Sequence, residues 1–79
     1  MRVAALSHQL RTLRRSRGFS QQILATRAGL SIDEIRSIEQ GRIPNPGVLI
    51  VVRIAGALNV PIDELLGMGH GENGLEPPR

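Results

Sequence analysis

Polar side chains recur between residues 31 and 41 at the spacing of one face of a helix. They are Asp33, Arg36, Ser37 and Gln40. The last three follow Asp33 after three, four and seven residues, and positions at these intervals share one side of an α-helix. Ile35 and Ile38 fall on the opposite side, which we expect to face the core. A carboxylate, a guanidinium, a hydroxyl and an amide are therefore predicted to point outward together.

No combination of residues in the sequence has the spacing of a catalytic or metal site. Asp33-Glu34 and Asp63-Glu64 are adjacent pairs, so their carboxylates do not converge on one helix face. Both pairs fall where helices are expected to begin, and acidic residues are favoured there without any chemistry. His8 and His70 are isolated, and there is no cysteine and no phosphate-binding glycine motif. We therefore predict no enzyme activity, no metal and no cofactor.

The stretch from Gln21 to Gly41 holds the turn around which the rest of the chain is organised. Two short apolar-periodic segments flank Ala28-Gly29-Leu30-Ser31, a pattern that predicts a helix, a tight turn and a second helix. Gly29 would end the first helix with a positive φ, where a Cβ costs roughly 1 kcal/mol. Ser31 is placed to cap the second helix, and Glu34 would complete a capping box.

Three further helices are predicted around this pair. The five helices are expected at about residues 3–17, 20–28, 31–40, 47–58 and 61–67, within one domain over residues 1–67 and before a flexible tail over residues 68–79. Val48 to Leu58 leaves an alternative open, because Ile50-Val51-Val52 is β-branched and could form a buried strand. A helix is favoured, since the apolar run is too long for a typical strand. Gly56 is expected to mark a close contact between helices.

Charge is distributed unevenly along the chain. Residues 1–42 hold eight arginines against three acidic residues, a net charge of +5, whereas residues 43–79 carry −2. A basic N-terminal half favours a polyanionic partner, with a merely solubilising surface as the alternative. Arg11, Arg15 and Arg17 are expected to lie on solvated faces, with Arg17 near a nucleic-acid backbone as a second possibility. No stretch has the length of a membrane span or a signal peptide, so a cytoplasmic protein is expected.

Residues spread from Arg14 to Leu66 carry a resemblance to a known family. They are Arg14, Gly18, Ser20-Gln21, Leu24-Ala25, Ala28-Gly29, Ser31, Ile35, Ile38-Glu39, Gly41 and Ile62-Asp63-Glu64-Leu65-Leu66. With these residues at these spacings, positions 6–67 resemble the lambda-repressor-like, or Cro/XRE-type, helix-turn-helix domain. The resemblance implies an all-α, five-helix fold whose third helix lies in the major groove of double-stranded DNA.

The same resemblance implies roles for individual residues. Phosphate contacts would come from Gln21, Ser31, Arg42 and Asn45. Base edges would be met by Ile32, Asp33, Arg36, Ser37 and Gln40, with guanine as the partner of the arginine and a thymine methyl group as that of the isoleucine. Arg14 and Glu39 would form a structural ion pair between the first and third helices.

Surplus apolar residues in the C-terminal half predict a homodimer. Leu49 and Ile50 stand where similar domains are often polar, and Leu66 and Met68 are expected to join them at the interface. A single domain of this size has too few DNA contacts for tight specificity. Two copies would place their reading helices about 34 Å apart, one turn of DNA.

Two functions are compatible with the sequence. The first is a sequence-specific, repressor-like transcriptional regulator that binds DNA as a dimer. The alternative is a protein-interaction module on the same fold, such as an antitoxin, with weak or no DNA binding. Asp33 motivates the alternative, because a carboxylate at the tip of the reading helix repels phosphates, and so do the apolar residues Ile23, Ile32 and Leu49.

Overall fold

Five α-helices follow one another along residues 4–67, the part of the chain that the computed structural model describes. They are α1 (Ala4–Ser16), α2 (Gln21–Ala28), α3 (Ile32–Glu39), α4 (Val48–Leu58) and α5 (Ile62–Leu65). Within these residues there is no strand, so the prediction of an all-α, five-helix fold is confirmed. The predicted tail at residues 68–79 lies outside the described residues.

Gly29 and Ser31 build the turn between α2 and α3. Gly29 has a φ of +70°, and its N–H donates to the Thr26 carbonyl at 3.2 Å, which ends α2. The hydroxyl of Ser31 accepts from the Glu34 N–H at 3.1 Å, while the Glu34 carboxylate accepts from the Ser31 N–H at 2.9 Å. This reciprocal pair is the predicted capping box, which satisfies two backbone donors at the start of α3.

The hydrophobic core lies between the five helices, and among the described residues all of its buried apolar side chains are aliphatic. Its fully buried large members are Leu10, Leu24, Ile35, Ile38, Ile54, Leu58 and Leu65. Ala25 of α2 is also fully buried, and a side chain this small lets a neighbouring helix approach closely. Ile35 and Ile38 therefore fix α3 by its inner face, and the orientation of its outer face follows from their burial.

Burial of one face explains why Val48–Leu58 is a helix and not the strand considered as an alternative. The buried residues of α4 recur three and four positions apart and are Val51, Ile54, Ala55 and Leu58. Packing of such a stripe outweighs the weak helix propensity of valine and isoleucine. The expected close contact at Gly56 was wrong: its position is exposed, and apart from its chain neighbours and the nearby backbone of α4, no atom of the described residues lies within 4 Å of where a Cβ would be.

Arg17 and Arg53 hydrogen-bond carbonyl groups at helix C-termini. Arg17 Nε donates to the carbonyl of Leu58, the last residue of α4, at 2.9 Å. Arg53 Nη1 donates to the carbonyl of Gly29, which caps α2, at 3.3 Å. A cation at a helix C-terminus satisfies an orphan carbonyl and opposes the negative end of the dipole. Arg17 is exposed as expected, but it also ties the end of α1 to the end of α4.

Candidate nucleic-acid interface

The outer face of α3 forms a shallow polar depression on the surface. It is lined by Asp33, Arg36, Ser37, Gln40 and Arg42. Ser37 is half-buried and the other four residues are exposed. The structure thus brings together the four residues of the predicted polar face and adds Arg42, whose N–H donates to the Ser37 carbonyl at 2.9 Å just beyond the helix.

Asp33 and Arg36 interact directly within this depression. Arg36 Nη1 lies 3.5 Å from Asp33 Oδ1, one turn apart on the helix. Both side chains remain accessible, with 86% of Asp33 and 51% of Arg36 exposed. The neighbouring Glu34 is used differently, since its carboxylate closes the capping box. One of the two acidic groups at the tip of α3 is therefore structural, whereas the other faces outward beside a guanidinium.

Ile32 is less available to a ligand on this face than the family resemblance implies. Its side chain is half-buried and packs against the core cluster at the first position of α3. Asp33, the next residue, is the first side chain of the helix that projects fully into solvent. The tip of the predicted reading helix therefore presents a carboxylate more than an apolar surface.

The residues with implied phosphate contacts are not gathered at one place. The Gln21 side chain donates to Glu39 Oε1 at 3.0 Å, so its amide is held near the C-terminal end of α3. Ser31 uses its hydroxyl in the capping box. Arg42 borders the polar depression, whereas Asn45 lies in the loop before α4 and lines a separate apolar cleft.

Arg14 and Glu39 form a buried ion pair between α1 and α3. Arg14 Nε and Nη2 donate to the two carboxylate oxygens of Glu39 at 2.6 and 3.0 Å. The third nitrogen of the guanidinium donates to the Phe19 carbonyl at 2.8 Å. With only 3% of the Glu39 side chain exposed, the pair and the Gln21 amide together satisfy a carboxylate that is almost completely removed from water.

Arg11 also belongs to this network, which the sequence analysis missed. It is half-buried, and its Nη1 donates to the backbone carbonyl of Glu39, so the expectation of a solvated side chain was wrong. Arg11 precedes Arg14 by three residues and therefore shares its helix face. The three-residue spacing from Arg14 was the signal for this contact in the sequence. In the structure, two arginines of α1 hold the C-terminal end of α3.

The part of the chain that the structure describes contains neither a candidate metal site nor a helix that could span a membrane. No group of three or more histidine or acidic side chains there could hold a metal ion. None of the described helices has the length and apolar character needed to cross a bilayer.

An apolar surface lies apart from the polar depression. Its most exposed members are Val48, Leu49 and Val52 on α4 and Ile62 on α5. Val48, Val52 and Ile62 line the same cleft as Leu6 and Leu66. Of the predicted interface residues, Leu49 is exposed, Ile50 and Leu66 are half-buried, and Met68 lies outside the described residues.

One of two comparisons with known proteins identifies the family of this chain. A search of curated proteins finds no match to this chain. The model of the family described as the helix-turn-helix domain matches residues 5–66. That range contains the Gly29 turn, the buried Arg14–Glu39 pair and the polar face of α3. The chain belongs to the helix-turn-helix domain family.

Proposed function

We propose that this protein is a sequence-specific, double-stranded DNA-binding transcriptional regulator of the cytoplasm that acts as a repressor. The observation that carries the proposal is the division of α3 into a buried inner face and a polar outer face, which lines a depression together with Gln40 and Arg42 at the end of the helix. In the helix-turn-helix geometry, the second helix of the motif enters the major groove and the first crosses the backbone. That second helix is α3 here, so Asp33, Arg36, Ser37 and Gln40 meet the base edges.

The distribution of charge supports this orientation. The N-terminal half carries a net charge of +5, and Arg36 and Arg42 border the polar depression itself. Phosphates attract such a surface whatever the sequence, and base edges then discriminate among sites. Gln21, Ser31, Arg42 and Asn45 contact the phosphates in this proposal, which positions the reading helix without adding sequence information.

Arg36→Ala is expected to weaken binding to a selected duplex by about 1–3 kcal/mol, because one bidentate arginine–guanine contact is lost. The duplex would be selected from a randomised pool, and affinity would be measured by fluorescence anisotropy from low to physiological salt. Arg15→Ala is the matched control, since Arg15 is an exposed arginine of α1. The control removes the same charge, and it is expected to leave discrimination between the selected and random duplexes unchanged.

Salt gives the decisive test of the proposal as a whole. Phosphate contacts are strongest at low salt, so a DNA-binding protein with this surface should bind even random duplexes there. Absence of binding at low salt would overturn the proposal. It would favour the second candidate function, a protein-interaction module such as an antitoxin, for which the exposed apolar surface on α4 and α5 is the favouring observation.

We also propose that the apolar surface of Val48, Leu49, Val52 and Ile62 joins two copies of the chain. The partner on this surface is a second copy of the chain. An eight-residue reading helix on a single domain has few base contacts, and a twofold dimer doubles them. Val48, Val52 and Ile62 are added here to the predicted Leu49, whereas the predicted Ile50 and Leu66 are half-buried and offer less exposed surface.

Leu49→Asp is expected to convert the dimer to a monomer, because a carboxylate would be buried at the interface without a partner. Affinity for a palindromic site should fall on the order of a hundredfold, while affinity for a half-site stays unchanged. Sedimentation equilibrium and anisotropy titrations measure the two effects. Ile23→Ser, at an exposed apolar position of α2, is the control for oligomeric state and should remain dimeric. A wild-type protein that is monomeric at all concentrations, or a dimeric Leu49→Asp variant, would contradict this interface.

A further inference from the structure

The helix dipole favours an acidic residue in the first turn of α3, but it does not require that residue to project outward beside Arg36, as Asp33 does. Asp33 is 86% exposed at the tip of α3, on the face that carries Arg36, Ser37 and Gln40. The capping box of this helix is closed by Ser31 and Glu34, so Asp33 is not needed for it. Its ion pair with Arg36 is exposed to solvent, and pairs of that kind contribute little to stability. A negative charge on this face also opposes the approach of phosphates.

The carboxylate lies within ion-pair distance of the guanidinium beside it. Arg36 Nη1 lies 3.5 Å from Asp33 Oδ1, and a guanidinium carries further N–H donors on its other nitrogens. Those remaining donors suffice for the two acceptors of guanine, O6 and N7. An arginine that is already oriented by a neighbouring carboxylate loses less side-chain freedom on binding. Asp33 therefore prepares Arg36 for bidentate recognition.

The same carboxylate discriminates between bases by its own chemistry. It has only acceptors, so in the major groove it can bond the amino group of cytosine or adenine, whereas guanine N7 and O6 and thymine O4 repel it. Beside a guanine bound by Arg36, the nearest amino group is that of the paired or adjacent cytosine. Without such a donor, the carboxylate would lose its water and gain nothing.

We propose that Asp33 and Arg36 act as one reading unit that requires a G·C base pair under the first turn of α3 and lowers affinity for all other DNA. This inference rests on the proposed DNA-binding function and adds the base pair that is read and the residue that sets the specificity ratio. Arg36 supplies attraction to guanine. Asp33 orients Arg36 and accepts a hydrogen bond from cytosine, and it also repels phosphates and the acceptor edges of other bases. A mismatched site therefore loses the attractive contacts and meets repulsion as well.

Asp33→Asn tests the unit with almost no change of shape. Sites would be selected from randomised duplexes with the wild type, and anisotropy would then give Kd for the selected site, for sites with the G·C pair replaced, and for random DNA. The variant should bind random DNA several-fold more tightly, because a repulsive charge is gone. Its preference for the G·C pair should fall about tenfold, because the amide keeps an acceptor for cytosine but loses the charge that orients Arg36, and its N–H groups can serve the acceptor edges of other bases.

Asp63→Asn is the matched control. Asp63 is also an exposed aspartate in the first turn of a helix, so the substitution makes the same change of charge and of helix-end electrostatics, but on α5. It should leave the base preference at every position unchanged. Circular dichroism of both variants checks that the fold is retained.

Arg36→Lys separates the charge from the geometry. A lysine keeps the positive charge but cannot make the planar bidentate contact. Preference for the G·C pair should therefore be lost, and Asp33→Asn should cause no further loss of preference in the Arg36→Lys background, because the two residues act together.

Three outcomes would count against the proposals, and they are distinguishable. A wild-type protein that selects no site overturns the proposed function and this inference with it. A wild-type protein that selects a site while Asp33→Asn keeps the full preference overturns only the reading unit. Equal effects of Asp33→Asn and Asp63→Asn would also overturn it, since net charge would then account for the result.

Discussion

Glu39→Ala is expected to destabilise the domain by about 3–5 kcal/mol, the cost of leaving one partner of a buried ion pair alone. Arg14 would keep its charge with almost no access to water and retain only the Phe19 carbonyl as a partner. The Gln21 amide would lose its acceptor as well. Because a small domain is stable by only about 5–15 kcal/mol, a loss of this size is a large fraction of its total stability.

Urea denaturation followed by circular dichroism measures this effect. Glu64→Ala is the control, since Glu64 is an exposed carboxylate of α5, and it should change stability by no more than about 1 kcal/mol. The double variant Arg14→Met/Glu39→Leu is expected to be more stable than Glu39→Ala, because no buried charge is left unpaired. If Glu39→Ala were as stable as the Glu64→Ala control, the pair would not hold α3 to α1.

Ile35→Ala is expected to cost about 2–5 kcal/mol, because it leaves a cavity beneath α3 as well as removing buried methyl groups. Ile35 is 0% exposed, on the inner face of α3. Ile23→Ala is the matched control, since the same residue type is 45% exposed on α2, and it should change stability by about 0.5 kcal/mol or less. Urea denaturation of the two variants gives the comparison directly, and equal losses would contradict the assignment of the inner face.

The two variants, Glu39→Ala and Ile35→Ala, probe how α3 is held. Ile35 and Ile38 fix the inner face of α3, while Glu39 fixes its C-terminal end to α1. Ser31 and Glu34 fix its first turn. A helix held at both ends and along one side presents its opposite face with little freedom, which is the requirement for distinguishing base edges by hydrogen bonds. The stability of α3 and the proposed specificity are therefore linked.

The turn between α2 and α3 could be predicted because its causes are local. Gly29 ends α2 through its own left-handed φ, and the Ser31–Glu34 capping box spans only four residues. The buried stripes of α1 and α4 follow from apolar residues three and four apart. Each of these signals lies within one or two helical turns. The two partners of each interaction are therefore close together in the sequence.

The contacts of the arginines could not be assigned in the same way. Arg11 and Glu39 are 28 residues apart, and Arg53 and Gly29 are 24 apart. An arginine that solvates a surface and one that closes a distant helix end look alike in sequence, because the acceptor is a backbone carbonyl that every residue carries. The prediction of a close helix contact at Gly56 was wrong for a related reason, since the surroundings of this residue depend on which neighbour packs against α4.

The outer face of α3 combines both kinds of information. Its membership, Asp33, Arg36, Ser37 and Gln40, was determined by the sequence, because a helical period assigns residues to sides. A local turn after α3, in which the Arg42 N–H donates to the Ser37 carbonyl, brings Arg42 beside them. Tertiary structure decided that Ile32 turns partly into the core and that Asn45 lies at a different cleft. The physical reason is that periodicity fixes the direction of a side chain from its own helix axis, whereas its neighbours are set by how the helices and loops pack against one another.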